Sequence, residues 1–160
     1  MKPRYYFFIL FLLISFSTQA QFNAVKKSIG QKSAQDRYVS HLESKGYAPE
    51  VDKDGDIMFT YNDKRYYITI DQKDPEFFRV ARLANLNLKT QANIDLAKQI
   101  CHDVTKDLKV TKVYWSNGQL WASSEQILPA PEDFEKILDR TLKLTEGAYQ
   151  RFVKDWKNKD

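Results

Sequence analysis

The segment DIMFTYNDKRYYITID, residues 56–71, has the alternating pattern of a β-hairpin. In each half, apolar or aromatic residues recur at every second position: Ile57, Phe59 and Tyr61, then Tyr66, Ile68 and Ile70. Successive side chains of a strand point to opposite faces, so each set predicts a strand with one face against a core. Asn62, Asp63 and Lys64 between the sets are typical of a tight hairpin connection.

An acidic stretch precedes this hairpin, with aspartates at alternate positions 52, 54 and 56. Such spacing resembles the start of an EF-hand calcium loop. That loop also needs glycine at its sixth position and glutamate at its twelfth, where this sequence has Ile57 and Asp63. We therefore predict a turn in which Gly55 takes the unusual dihedral angle, and no metal site.

The remaining elements follow from periodicity and capping. Residues 33–46 predict a helix that ends at Gly46, and residues 90–109 predict a second helix with apolar residues at helical spacing. Residues 109–128 predict a hairpin around Asn117-Gly118, the dipeptide that a type I′ turn prefers. Residues 130–160 predict a long final helix.

The segment PEFFRVARLANL, residues 75–86, fits either a short helix or a third strand. The predicted order is therefore helix, two or three antiparallel strands, helix, two strands and a long helix. This order predicts an α+β fold in which helices pack on an antiparallel sheet.

The N-terminus has the pattern of a secretory signal peptide. Lys2 and Arg4 precede an apolar run over residues 5–16, and a small residue stands at each position that a signal peptidase reads. We predict cleavage between Ala20 and Gln21. The run is too short to span a bilayer, and no cysteine follows it for a lipid anchor. The protein is thus expected to be exported, periplasmic or secreted, with no stable membrane anchor after cleavage.

This cleavage site divides the chain into a signal peptide (1–20), a polar leader (21–33) and one domain (34–160). The net charge of the whole chain is +4, part of which belongs to Lys2 and Arg4. No basic cluster in the mature chain is longer than Lys26-Lys27, so we expect no nucleic-acid partner. The single cysteine, Cys101, excludes an internal disulfide.

No catalytic, metal-binding or cofactor-binding motif emerges from the sequence. Cys101 and His102 are adjacent, but neighbouring side chains on a helix diverge by about 100°. Cys101 lies on the apolar stripe of its helix, which predicts a packing role. His41 and His102 are the only histidines, and no Cys/His spacing suggests zinc. Scattered carboxylates leave open a hydrolase whose site is not evident from spacing.

The strands carry more aromatic residues than one sheet face can bury. In the pairs Tyr66/Tyr67 and Tyr114/Trp115 the two residues point to opposite faces, so one of each pair faces away from the core unless helices cover both faces. These aromatics could stabilise the sheet as cross-strand pairs. They could also form a partner-binding surface, for which the sequence offers four candidates: Tyr61, Tyr67, Trp115 and Trp121.

Two stretches resemble YbjN-type domains, which are also described as bacterial sensory transduction regulators. Residues 41–83 share a helix that ends in a Gly-aromatic step, an acidic turn before a strand, an aromatic-rich strand and a D-x-x-FF step. The hairpin of residues 109–128 and the helix that begins at PEDF are similar to the second half of the family. The resemblance spans residues 34–155, and the secretory leader departs from it.

The resemblance implies a fold like that of type III secretion chaperones, in the order α-β-β-β-α-β-β-α. It favours a strand over residues 77–84, a turn without metal at Asp52, and no catalytic residue. Together with the aromatic strands, it predicts an exported, non-enzymatic, chaperone-like or regulatory module that binds another protein. Two alternatives stay open: a hydrolase with a carboxylate site, and a homodimer formed through the tail of residues 148–160.

Overall fold

The computed structural model of the protein describes residues 34–71, 73, 74 and 76–159. Three helices follow the chain in the order α1 (34–44), α2 (Gln91–Lys106) and α3 (Phe134–Lys159), the last after a 3-10 turn at Pro131–Asp133. The strands are β1 (Glu50–Val51), β2 (Ile57–Tyr61), β3 (Lys64–Ile70), β4 (Phe77–Ala84), β5 (Thr111–Ser116) and β6 (Gln119–Ile127). The predicted signal peptide, its cleavage site at Ala20 and Gln21, and the leader of residues 21–33 lie outside the described residues.

The strands form one antiparallel sheet in the order β1-β2-β3-β4-β6-β5. This confirms the α+β fold, and the element order matches the expected α-β-β-β-α-β-β-α pattern apart from the additional two-residue strand β1. The ambiguous segment is a strand, as the family resemblance implied. β4 pairs with β3 on one side and with β6 on the other, so its main-chain groups are satisfied as a central strand.

All three helices pack on one face of the sheet. The Tyr38 ring of α1 lies 5.7 Å from Phe78 of β4 and 4.3 Å from Phe134 of α3, measured between ring centroids. The first hydrophobic cluster is built on these rings and contains Tyr38, Leu42, Ile57, Phe59, Tyr66, Ile68, Phe78, Val80, Leu128, Phe134, Leu138 and Leu142. The second lies under α2 and contains Ala97, Ile100, Cys101, Val104, Val113, Leu120, Ala122, Ala148 and Phe152.

Both predicted hairpins are present, and each has a two-residue turn with positive φ at both positions. Asn62 and Asp63 have φ of 49° and 59°, and Asn117 and Gly118 have φ of 49° and 78°. These are the dihedral angles of type I′ turns, whose twist matches that of the strands. Lys64 is the first residue of β3, so the first turn is one residue shorter than the sequence suggested.

The acidic stretch before β2 is a turn, as predicted. The Oδ1 atom of Asp52 accepts hydrogen bonds from the main-chain N–H groups of Asp54 (2.9 Å) and Asp56 (3.0 Å). Gly55 has φ +88° and donates its N–H to the Asp52 carbonyl. The Oδ1 atom of Asp56 accepts from the N–H of Ile70. These aspartates thus organise main chain, and no group of metal-ligating residues occurs in the described part of the chain.

No helix within residues 34–159, as far as they are described, is both long and apolar enough to cross a bilayer.

The Asp52 turn can be tested by replacing its two aspartates in turn. Asp52→Ala should lower the free energy of unfolding by about 1 kcal/mol, because two main-chain N–H groups lose their acceptor. Asp54→Ala is the matched control, since the Asp54 carboxylate forms no hydrogen bond with the described residues. Urea denaturation measures both, and added calcium should leave the melting temperature of the parent protein unchanged. A calcium-dependent rise would show that the turn binds metal after all.

Candidate partner-binding surface

The structure divides the four candidate aromatics between the two faces of the sheet. Tyr61 lies on the helix-covered side, 5.8 Å from both Tyr47 and Tyr66, and packs against the first cluster. Trp115 lies on the same side and packs against the second cluster. Tyr67 and Trp121 lie on the opposite face. The structure therefore does not bring the four together into one surface, and a role in binding a partner stays a prediction for each.

The face that none of the described helices covers is called the open face here, and it carries Tyr67, Arg79, Ala81, Leu83, Tyr114 and Trp121. Its side chains form rows across the strands. Tyr67 of β3 pairs with Ala81 of β4, which pairs with Ser123 of β6. In the next row Leu83 pairs with Trp121, and Trp121 pairs with Tyr114. An uncovered face of an antiparallel sheet is normally polar, as the row of Thr69, Arg79 and Glu125 is, so the apolar row of Leu83, Trp121 and Tyr114 is unusual.

Basic and aromatic side chains interact on the open face. The Tyr114 and Trp121 rings stack at 5.8 Å with an interplanar angle of 12°. The Arg79 guanidinium lies 5.9 Å from the Trp121 ring centroid and donates to the Thr69 hydroxyl. Lys112 pairs with Glu125 at 2.7 Å and lies 5.8 Å from the Tyr114 centroid. Cross-strand aromatic pairs and cation–π contacts together hold these side chains in a fixed arrangement.

The Trp121 indole N–H is buried and has no acceptor among the described residues. A buried donor without a partner costs about 1–3 kcal/mol, and a partner supplies the missing acceptor only where the side chains that enclose the N–H move aside. Arg79 and Tyr114 were not among the sequence candidates. Arg79 belongs to the segment whose type was ambiguous, and only the pairing of β4 with β6 places it beside Trp121.

A partly buried polar cluster lies on the other side of the sheet, between α3 and the β2–β3 turn. Tyr66 donates its hydroxyl to Glu146 Oε2 at 2.6 Å, and Arg82 forms an ion pair with the same oxygen. The Arg82 guanidinium also lies 3.5 Å from the Tyr149 ring centroid. Burial opposes ionisation of Glu146, but hydrogen bonds from Tyr66, Gln150 and Arg82 outweigh it and lower its pKa.

The Glu146 cluster should make stability depend on acid pH. A carboxyl group whose pKa is lower in the folded state stabilises the protein above its unfolded pKa, about 4.3, and loses that contribution as pH falls through the folded value. Glu146→Gln should therefore cost about 1–2 kcal/mol near neutral pH and less at pH 3.

Urea denaturation at both pH values measures this difference. Glu43→Gln is the control, because Glu43 is exposed and its carboxylate has no described partner. An equal loss at pH 7 and pH 3 would contradict ionic stabilisation by Glu146.

Two grooves flank Trp115 along the outer edge of β5. The larger, of about 720 Å³, is lined by Asn85, Asn87, Leu88, Lys89, Ile94 and Gly118 together with Trp115. The smaller, of about 320 Å³, is lined by Lys98, Cys101, His102, Thr105, Val113 and Tyr114, again with Trp115. No described Asp or Glu lines either groove, so the carboxylate that the hydrolase alternative requires is not found there.

The cysteine and the C-terminal aromatics serve packing. Cys101 is buried in the second cluster, as predicted, and burial raises the pKa of its thiol to about 12. His102 is exposed, whereas Cys101 is buried, although both residues line the smaller groove. In α3, Phe152 is buried and stacks with Trp156 at 6.0 Å. Tyr149 lies against Arg82. A dimer contact through this tail would thus have to form without Phe152.

No family model and no curated protein matches this chain. Two solved structures are similar to it in fold. An uncharacterised protein from Methanothermobacter thermautotrophicus shares 12% identity at a TM-score of 0.59, over 79% of this chain and 98% of that one. YbjN from E. coli, a proposed transcription regulator, shares 10% identity at a TM-score of 0.53, over 71% of this chain and 86% of that one. The chain therefore has a YbjN-like fold.

Proposed function

We propose that the protein is an exported, non-enzymatic module that binds another protein through the open face, in a chaperone-like or regulatory role. The observation that supports this proposal most directly is the row of Leu83, Trp121 and Tyr114 on a sheet face that none of the described helices covers. Rows of this kind are normally polar where they meet water. Their apolar character favours a surface that a partner covers.

The types of residue on the open face fit a protein partner. Tryptophan, tyrosine and arginine supply most of the binding energy in protein interfaces, and all three meet around Trp121. The unpartnered indole N–H calls for an acceptor, such as a main-chain carbonyl of the partner. We therefore infer a partner that presents apolar side chains and at least one main-chain carbonyl to the centre of this face.

A regulatory role would agree with the description of YbjN, but we favour a protein over a nucleic-acid partner. Binding to the phosphate backbone requires clustered Lys and Arg that no carboxylate neutralises. On the open face Lys112 pairs with Glu125. Arg65 and Arg79 have no carboxylate partner among the described residues, but two such arginines are too few for a phosphate-binding cluster.

Capture from the native host tests the proposal. The full chain with a C-terminal tag is cross-linked in cells, purified from the envelope fraction, and its companions are identified by mass spectrometry. We expect one abundant protein whose recovery falls about 30-fold in Trp121→Ala, because a central interface tryptophan contributes about 2 kcal/mol. Tyr67→Ala should also reduce recovery.

Two variants on the helix-covered side serve as controls matched by residue type. Trp156→Ala and Tyr47→Ala remove aromatics that pack against the clusters, so they should lower stability and leave capture intact in cells where the variant is folded. Circular dichroism of each purified variant verifies folding. If Tyr47→Ala and Trp156→Ala reduce capture as much as the open-face variants, the open face is not the binding surface.

The unpartnered indole has its own test. Trp121→Phe keeps an aromatic ring on the open face and removes the donor. We expect binding of the captured partner to weaken about 5-fold to 10-fold, the usual value of one hydrogen bond. Calorimetric titration of the purified pair measures this change. Unaltered affinity would show that the partner offers no acceptor to Trp121.

Export carries a separate prediction. The mature protein should begin at Gln21, because the small residues before it fit signal peptidase cleavage. N-terminal sequencing of protein purified from the envelope or medium decides this, and Ala20→Arg should block cleavage. Recovery of the full chain only from the cytoplasm would contradict export and leave the binding proposal to be tested there.

A homodimer is the second outcome that the capture experiment can reveal. Cross-links between copies alone, abolished by Trp121→Ala, would mean that the open face binds a second copy of this chain.

A further inference from the structure

We propose that the edge of β5 at Trp115 is a second binding site, which takes an extended acidic polypeptide segment through main-chain pairing with Trp115, since α2 already occupies the edge at Val113. This site lies at the edge of the sheet, next to the open face, with which it shares Tyr114, and includes the two grooves on either side of Trp115. Three features of the described residues support it: the direction of the Trp115 main chain, the shape of the grooves and their charge.

The register of the β5–β6 hairpin fixes which main-chain groups of β5 point outward. In antiparallel pairs, residues that exchange both hydrogen bonds alternate with residues that exchange none. The two-residue turn makes Ser116 and Gln119 a bonded pair, so Trp115 opposite Leu120 is a non-bonded pair. The N–H and C=O groups of Trp115 therefore point away from β6, towards the edge of the sheet.

Three hydrogen bonds at or next to β5 verify this alternation. Glu125 donates its N–H to the Val110 carbonyl, as a bonded pair should. Val113 is two residues before Trp115, so its main-chain groups also point outward. Its N–H donates to the Thr105 hydroxyl at 2.8 Å, and the Thr105 hydroxyl donates to the Val113 carbonyl at 2.9 Å. One side chain of α2 thus satisfies both outward groups of Val113, as a neighbouring strand would.

No such bond caps Trp115 in the described part of the chain. Trp115 lines both the larger and the smaller groove, and β5 directs its main-chain N–H and C=O groups towards the edge of the sheet. An unpaired edge position of this kind is a template for one residue of an incoming strand. The residues before and after the one that pairs with Trp115 would lie in the grooves. The groove volumes fall within the range of binding sites for small ligands and peptides.

The charge of the grooves selects an acidic segment. Lys89 lines the larger groove and Lys98 the smaller one, and neither forms an ion pair with the described residues. Carboxylates spaced on either side of the residue paired with Trp115 would meet one lysine each. The chain's own leader is a poor candidate, since residues 21–33 contain three lysines and no Asp or Glu. The occupant is therefore a segment of another protein.

Titration of the isotope-labelled mature chain with three probes tests the site by NMR. The first is a blocked peptide of alternating Glu and Thr residues, the second is the same peptide with Gln for Glu, and the third is free glutamate. We expect the acidic peptide to bind, to shift the Trp115 amide resonance and to slow its hydrogen exchange. The Gln peptide and free glutamate should bind at least about 10-fold more weakly.

Charge reversal identifies the lysines involved. Lys89→Glu/Lys98→Glu should weaken binding of the acidic peptide about 10-fold or more, whereas Lys143→Glu/Lys154→Glu, two exposed lysines of α3, makes the same charge change away from the grooves and should have little effect. Circular dichroism shows whether both variants fold.

Three results would overturn the proposal: no binding of the acidic peptide, equal binding of all three probes, or resonance shifts confined to Tyr67 and Trp121. The last of these would assign the peptide to the open face and leave the proposed function standing. Failure of Trp121→Ala to alter partner capture would overturn only the open-face proposal, since that variant leaves Trp115 and both lysines in place.

Discussion

The position of α3 across the sheet is the constraint on which the rest of the structure depends. Its N-terminal half contributes Phe134, Leu138 and Leu142 to the first cluster, and its C-terminal half contributes Ala148 and Phe152 to the second. The clusters are otherwise built from different strands and helices, so α3 is the element that joins them. Burial of apolar surface at both ends supplies the driving force for its docking.

Apolar contacts alone would allow α3 to slide along the sheet, and its polar middle opposes this. Thr141 accepts a hydrogen bond from Gln126, Thr145 donates to Ser124, and Glu146 pairs with Arg82. A buried polar group that loses its partner is costly, so each of these bonds penalises a shifted register. We infer that the polar contacts fix where the helix sits, while the clusters fix how strongly it is held.

Much of this fold follows from local sequence signals. Three predictions depended on only a few neighbouring residues, and the structure confirms each: the hairpin from the alternation over residues 56–71, the turn at Asn117-Gly118, and the acidic turn at Gly55. The type of β4 was not determined locally, because Phe77 to Ala84 become a strand through pairing with β6, on the far side of α2 and β5 in the chain. Long-range pairing overrides local propensity in such a segment.

The candidate surface was predictable in part. Trp115 and Trp121 lie in strands joined by a two-residue turn, which pairs Trp115 with Leu120 and Trp121 with Tyr114. The hairpin sequence therefore already implied that the two tryptophans occupy opposite faces. It did not say which face the helices cover, and so could not separate the half-buried Trp115 of the helix side from Trp121 of the open face. Trp121's neighbours Arg79 and Leu83 come from β4, beyond the reach of any local pattern.

The lone cysteine has a consequence for where such a chain can fold. Cys101 is buried in the second cluster and has no second thiol in the chain to pair with, so the native state contains no internal disulfide that an oxidant must form or a reductant could break. Its thiol also stays protonated, which keeps it unreactive towards disulfide exchange. The domain therefore needs no internal disulfide for its stability, in reducing or in oxidising conditions.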